Sequence, residues 1–368
     1  MRHNPAFQRQ INRIITFLFL LVCSGCFIIP GKSSRPEIER PTSLLNYYSQ
    51  GRTLTSFTTK VLANHSDFKK SQIDINTPKG VASVTYFDSP DTSSQLLLVY
   101  PLMGGSRIIT EHFAEVFARN GFDCAIVKRN DDYKKPENFD KLESILRDTV
   151  IRDRVALDYF EKHEGKRVFG SFGISRGAIN ATMVAGVDKR LKYNVLVMGA
   201  SDIPSVFRRS SIRKVRKYRD TVMKSHQYTP DEFFFSLQKN IITNPSRVTK
   251  YIRTQNTMLM LATFDTSVPF VDGLAMRKEI GYPKTIFIPA NHYIGAALTQ
   301  ILSIKEPIRG HPIFPFDYIE GEAIAFFREK FRDVFREKRP LVALLKTPMT
   351  LIASFISQLD DNYGGDPQ

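Results

Sequence analysis

Short, largely apolar runs recur through the middle of this chain, most of them separated by a segment with helical spacing. The runs are Leu96–Tyr100, Cys124–Val127, Arg167–Phe172, Asn194–Met198, Thr257–Ala262 and Thr285–Ile288. A run of four to six residues without alternation suits a strand covered on both faces, as in a parallel sheet. Between them, Glu111 to Asn120 places Phe113, Val116 and Phe117 at helical spacing and stops at Gly121. Lys141 to Lys162 and Ala178 to Val187 are further helical segments, and 129–140 reads as a loop. This alternation predicts an α/β fold: a mostly parallel central sheet, helices on both faces and right-handed crossovers. Residues 71–88 add two strands around the turn Asn76-Thr77-Pro78-Lys79-Gly80.

The chain has 368 residues, 42% hydrophobic and 24% charged, which is enough for a full core and excludes wholesale disorder. Lys and Arg exceed Asp and Glu by 15, which favours an anionic partner and says nothing of the fold. The three cysteines, Cys23, Cys26 and Cys124, form neither a disulfide framework nor a zinc spacing.

The first 26 residues have the anatomy of an export signal. Arg2, Arg9 and Arg13 precede the nine-residue apolar run Ile14–Val22, broken only by Thr16. That run is too short to span a membrane, which takes about 20 residues, and it matches the apolar part of a secretory signal. The sequence Leu21-Val22-Cys23-Ser24-Gly25-Cys26 resembles the lipobox of bacterial lipoproteins, with Cys23 where Leu is commonest. The resemblance implies cleavage after Gly25, lipidation of Cys26 and an exported, membrane-anchored protein of the cell envelope. Residues 27–69 are expected to be a tether and N-terminal extension, because Pro30, Gly31, Ser33, Ser34, Pro36 and Pro41 crowd its first part.

The run 167–172 leads into Gly173-Ile174-Ser175-Arg176-Gly177 and then a small-residue helix start. This is the G-x-S-x-G pattern of a nucleophile elbow, placed between a buried strand and a helix as that motif requires. A turn this sharp brings the positions two before and two after the Ser too close for side chains. The plain alternative is a glycine-rich turn with an incidental Ser.

On these residues the chain resembles the α/β-hydrolase family, from about residue 70 to about residue 335. The family orders its triad Ser, acid, His. Of the histidines after Ser175, His226 lies in a basic insertion and His311 in an apolar loop with no strand before it. His292 directly follows the run 285–288, in Pro289-Ala290-Asn291-His292. The resemblance therefore implies His292 as the base and Asp265, after the run 257–262, as the acid. Asp202 is the rival acid, and Asp265 also reads as a helix cap. The oxyanion hole is implied at the backbone amides of Arg176 and Met103, the latter in Pro101-Leu102-Met103-Gly104-Gly105-Ser106.

The domain expected over 70–338 carries a helical lid insertion over about 201–256. That insertion holds Arg208, Arg209, Arg213, Lys214, Arg216, Lys217 and Arg219. Val206, Phe207, Ile212, Val215 and Tyr218 are interleaved with them. This reads either as an amphipathic surface for anionic lipid or an acidic substrate, or as a solvated lid face. Glu320 to Glu337 is expected as a closing helix and 339–368 as a C-terminal extension of docked helices. The function implied is a serine hydrolase acting on a carboxylic ester or related acyl bond, with no metal or organic cofactor. Its partners would be a small or lipid-like acyl substrate and the membrane through Cys26. No nucleic-acid partner is expected, since no zinc-finger spacing or RNA-binding motif is visible. The alternatives are acyl transfer or peptide cleavage on the same triad, or a non-catalytic lipoprotein keeping the fold.

Overall fold

A computed structural model describes residues 27–32, 36–90, 95–103, 107–292 and 318–332. Among the described residues ten strands form one sheet: β1 (Phe27–Ile29), β2 (Ser56–Asn64), β3 (Lys69–Thr77), β4 (Gly80–Asp88), β5 (Gln95–Tyr100), β6 (Cys124–Val127), β7 (Val168–Ile174), β8 (Leu191–Val197), β9 (Thr257–Ala262) and β10 (Lys284–Ile288). Their spatial order is β1-β10-β9-β8-β7-β5-β6-β4-β3-β2. The block from β10 to β6 is parallel, while β4, β3 and β2 extend it antiparallel on one side and β1 caps the other.

The helices are α1 (Thr42–Tyr47), α2 (Arg107–Arg119), α3 (Leu142–His163), α4 (Arg176–Val187), α5 (Ile203–Arg209), α6 (Arg213–His226), α7 (Pro230–Asn240), α8 (Phe270–Ile280) and α9 (Tyr318–Lys330). Strand β5 shows how they cover the sheet. Every residue of β5 is buried. Leu96, Leu98 and Tyr100 pack in one cluster with α3, α4 and α8, whereas Leu97 and Val99 pack in another with α2 and α9. An unbroken apolar strand is thus explained by cover on both faces. No helix among the described residues is long and apolar enough to cross a membrane.

The stretch 27–69 departs from the expected tether. β1 pairs with β10, α1 packs beside the sheet and β2 forms the far edge. Arg40 donates from Nε to the carbonyl of Gly186 at 2.8 Å and from Nη2 to that of Ala185 at 2.9 Å. Proline and glycine content suggests slack, but three apolar residues, Phe27-Ile28-Ile29, find an open strand edge far along the chain. The loop read at 129–140 holds two short 3₁₀ turns. Residues 201–256 carry α5, α6, α7 and three further 3₁₀ turns. Here Thr229 and Glu232 form a reciprocal capping box at the start of α7. Cys26, Gly104, Gly105, His311 and the extension 339–368 lie outside the described residues.

Candidate active site

In a parallel sheet the loops beyond the carboxyl ends of the strands gather on one edge. β5, β7, β9 and β10 all end there, and the predicted site residues follow those ends. Ser175 sits between β7 and α4 with φ 58° and ψ −123°. A non-glycine residue in that region costs on the order of 1–3 kcal/mol and persists only when its surroundings hold it. The holding contacts are visible. The Ser175 amide donates to the carbonyl of Val197 on β8 at 2.8 Å, and the first turn of α4 returns to the Ser175 carbonyl from Ala178 at 3.0 Å. A Cβ on Gly173 would lie 2.5 Å from the backbone of Gly177, and one on Gly177 would lie 2.4 Å from the carbonyl oxygen of Tyr100. Both glycines are therefore steric requirements of the turn.

Asp265 and His292 are brought together. Oδ2 of Asp265 lies 2.6 Å from Nδ1 of His292, and both residues are buried. The other carboxylate oxygen accepts from the amides of Ser267 at 2.8 Å and Val268 at 3.0 Å. Asp265 thus organises its own loop and holds the imidazole at once; it does not cap the helix that follows, whose N-cap is Pro269 with no side-chain hydrogen bond. The two loops are joined by backbone: Thr263 donates to Ile288 at 2.9 Å and Phe264 to Ala290 at 3.1 Å. The rival acid is engaged elsewhere. Asp202 accepts from the amide of Ser205 at 3.2 Å as the N-cap of α5, and from Nδ2 of Asn244 at 2.6 Å.

Arg176 begins α4, where a backbone amide has no partner within its helix. Met103 lies in the turn after β5, half-buried. What the sequence did not reveal is the place of the Arg176 side chain. It is 9% exposed and lies over the ring of Tyr133, 3.4 Å from the centroid. Burial draws this guanidinium down to about 10, against the pull of Tyr133, and burial pushes the Tyr133 phenol up to about 12. The only hint in the sequence was an aromatic residue inside a charged loop.

Within the insertion the apolar residues of α6 turn inward. Val215, Tyr218 and Val222 of α6 are buried, the last two packing with Tyr133, Phe139, Phe233 and Leu237 in a small core of their own. The apolar side of α6 faces protein, and its Arg213, Lys214, Arg216 and Lys217 face outward.

No protein-family model and no curated protein matches this sequence. Solved structures do. Acetyl xylan esterase 1 from Thermoanaerobacterium sp. superposes with a TM-score of 0.53 at 13% identity, over 82% of this chain and 96% of that one. A cold-adapted esterase from an Arctic intertidal metagenomic library matches with 0.50 at 14% identity, over 75% of this chain and 99% of that one. An acetyl xylan esterase from Paenibacillus sp. R4 gives 0.50 at 13% identity, over 74% and 97%. At such identities the likeness is one of architecture, and together with the strand order it shows that this chain has the α/β-hydrolase fold.

Proposed function

We propose that this protein is a serine hydrolase that cleaves a carboxylic ester through an acyl-enzyme intermediate. The observation that carries the reading is the 2.6 Å bond between Asp265 and His292, made on the same sheet edge that presents Ser175 in a strained strand-to-helix turn. A serine hydroxyl needs a base to become a useful nucleophile, and a base needs its tautomer set. In this reading Ser175 Oγ attacks the ester carbonyl while Nε2 of His292 takes its proton. Asp265 accepts the Nδ1 hydrogen bond and stabilises the imidazolium. The amides of Arg176 and Met103 receive the developing oxyanion. Collapse of the tetrahedral adduct expels the alcohol, which leaves with the proton from His292. Water then repeats the sequence on the acyl-enzyme and frees the acid. That the three proteins of like architecture are called esterases is consistent with an ester as substrate.

The same proposal places the protein outside the cytoplasm, held to a membrane by lipid on Cys26, on the strength of the basic start, short apolar run and lipobox-like Leu21–Cys26. A fluorophosphonate probe tests the chemistry. The wild type should label and Ser175→Ala should not; a wild type that stays unlabelled, or equal labelling of both, would end the hydrolase reading.

A further inference from the structure

The antiparallel pairing of β1 with β10 sets Phe27 opposite Phe287, one residue before β10 ends at Ile288. The chain therefore enters the sheet at the edge where Asp265 and His292 lie. Four strand spacings separate β1 from β7, so the entry point lies about 19 Å across the sheet from the strand that leads to Ser175.

Two further features share this edge. Large apolar side chains stand in the solvent just after strand ends: Ile108, 81% exposed at the start of α2, and Phe264, 66% exposed beside Asp265. The basic face of α6 is fastened beside the loop that carries Phe264. Ser211 donates its amide to the carbonyl of Thr266 at 2.9 Å, and Oγ of Ser210 donates to the carbonyl of Ser267 at 2.6 Å. Arg213, Lys214, Arg216 and Lys217 follow directly, all exposed, and none forms an ion pair with another described residue. Exposed apolar side chains flanked by unpaired cations suit an interface of hydrocarbon beneath negative headgroups, and each such cation contributes about 1 kcal/mol near an anionic bilayer.

We propose that the catalytic edge of the sheet docks on an anionic phospholipid bilayer, and that the ester it hydrolyses is carried in that bilayer. The substrate half of this statement rests on the hydrolase reading above; the docking half does not. Ile108 and Phe264 enter the headgroup region, the α6 cations meet the phosphates, and the substrate passes from the bilayer to Ser175 without crossing bulk water.

The chain contains no tryptophan, so a single one placed by substitution reports its own surroundings. Full-length Ile108→Trp should show a blue-shifted emission when phosphatidylcholine vesicles containing phosphatidylglycerol are added. Arg167→Trp, exposed at the start of β7 on the opposite edge, should show none. A shift at Arg167→Trp, or none at Ile108→Trp, overturns the docking. Replacing Arg213, Lys214, Arg216 and Lys217 together by Gln should lower hydrolysis of a long-chain ester in those vesicles by about tenfold or more. Hydrolysis of a soluble butyrate ester should stay within about twofold, an allowance for surface charge changes away from the core. Equal losses on both esters, or on neither, overturn the vesicle-borne substrate. If fluorophosphonate fails to label Ser175, the hydrolase reading falls with the substrate claim, and the tryptophan shifts still decide the docking.

Discussion

Asp265 holds His292 through one carboxylate oxygen and its own loop through the other: Oδ2 stands 2.6 Å from Nδ1 of the imidazole, while Oδ1 takes the amides of Ser267 and Val268. The imidazole is therefore oriented by a group that is itself immobilised by backbone.

Exchanging Asp265 for Asn keeps the shape and removes the negative charge, and it presents a donor where the ring needs an acceptor. Ester turnover by Asp265→Asn should fall by about 10⁴ in kcat, as expected when a triad base is held in the wrong tautomer. Asp202→Asn should leave kcat near the wild-type value and act on stability alone, through the cap on α5. Steady-state kinetics on a soluble ester separate the two; a large kcat loss at Asp202 would move the acid to that position.

The elbow makes a steric prediction. A methyl group at Gly177 would meet the Tyr100 carbonyl oxygen at 2.4 Å, and backbone cannot withdraw as a side-chain tip can. Gly177→Ala should destabilise the fold by about 1–3 kcal/mol, the usual cost of forcing extra volume into a packed site. Thermal unfolding followed by circular dichroism reads this, and an unchanged midpoint would contradict the close packing of α4 on β5.

A buried pair offers a second stability test. Nη1 of Arg129 donates to Oδ1 of Asp153 at 2.6 Å, with side chains 6% and 0% exposed. Burial pushes the Asp153 carboxyl up, against the opposing pull of Arg129. Removing one partner strands a charge, so Arg129→Met should cost about 3–5 kcal/mol. The double variant Arg129→Met with Asp153→Leu should recover most of that loss. Chemical denaturation of the four proteins completes the cycle, and additive losses would argue against coupling.

Acid stability should depend on Asp188. Burial pushes its carboxyl up, but hydrogen bonds and charge from Arg190, with Arg154 behind, hold it well below the usual carboxylate range. A carboxyl depressed in the folded state contributes stability that is present above its unfolded value, about 3.9, and is lost as pH falls toward the folded value. Unfolding free energy should therefore decline as pH drops below about 4, and Asp188→Asn should flatten that decline. An acid limb of the same slope in both proteins would show that other carboxylates govern it.

The central sheet was legible because its strands are buried on both faces and so read as uninterrupted apolar runs; Thr257–Ala262 and Cys124–Val127 have the bounds the sequence predicted. The elbow was legible because sterics leave its glycines no substitute. Other features depend on partners remote in sequence. β1 is three residues long and has meaning only beside β10. β2 is exposed almost throughout, so burial writes no pattern into it. The Arg176 side chain could not be placed without the loop that brings Tyr133 over it. In α6 the basic run was plain, yet which way its apolar side turns is decided by α7 and the loop around Phe139.

The short strand at the N-terminal border is also a guard rail. β10 leads straight into the loop bearing His292, and without Phe27–Ile29 its outer amides and carbonyls would face solvent as an open sheet edge. A protein shortened to begin at Pro30 should then fray first at this strand. Catalytic loss and self-association would be expected to rise together, while the α3 side of the sheet stays folded.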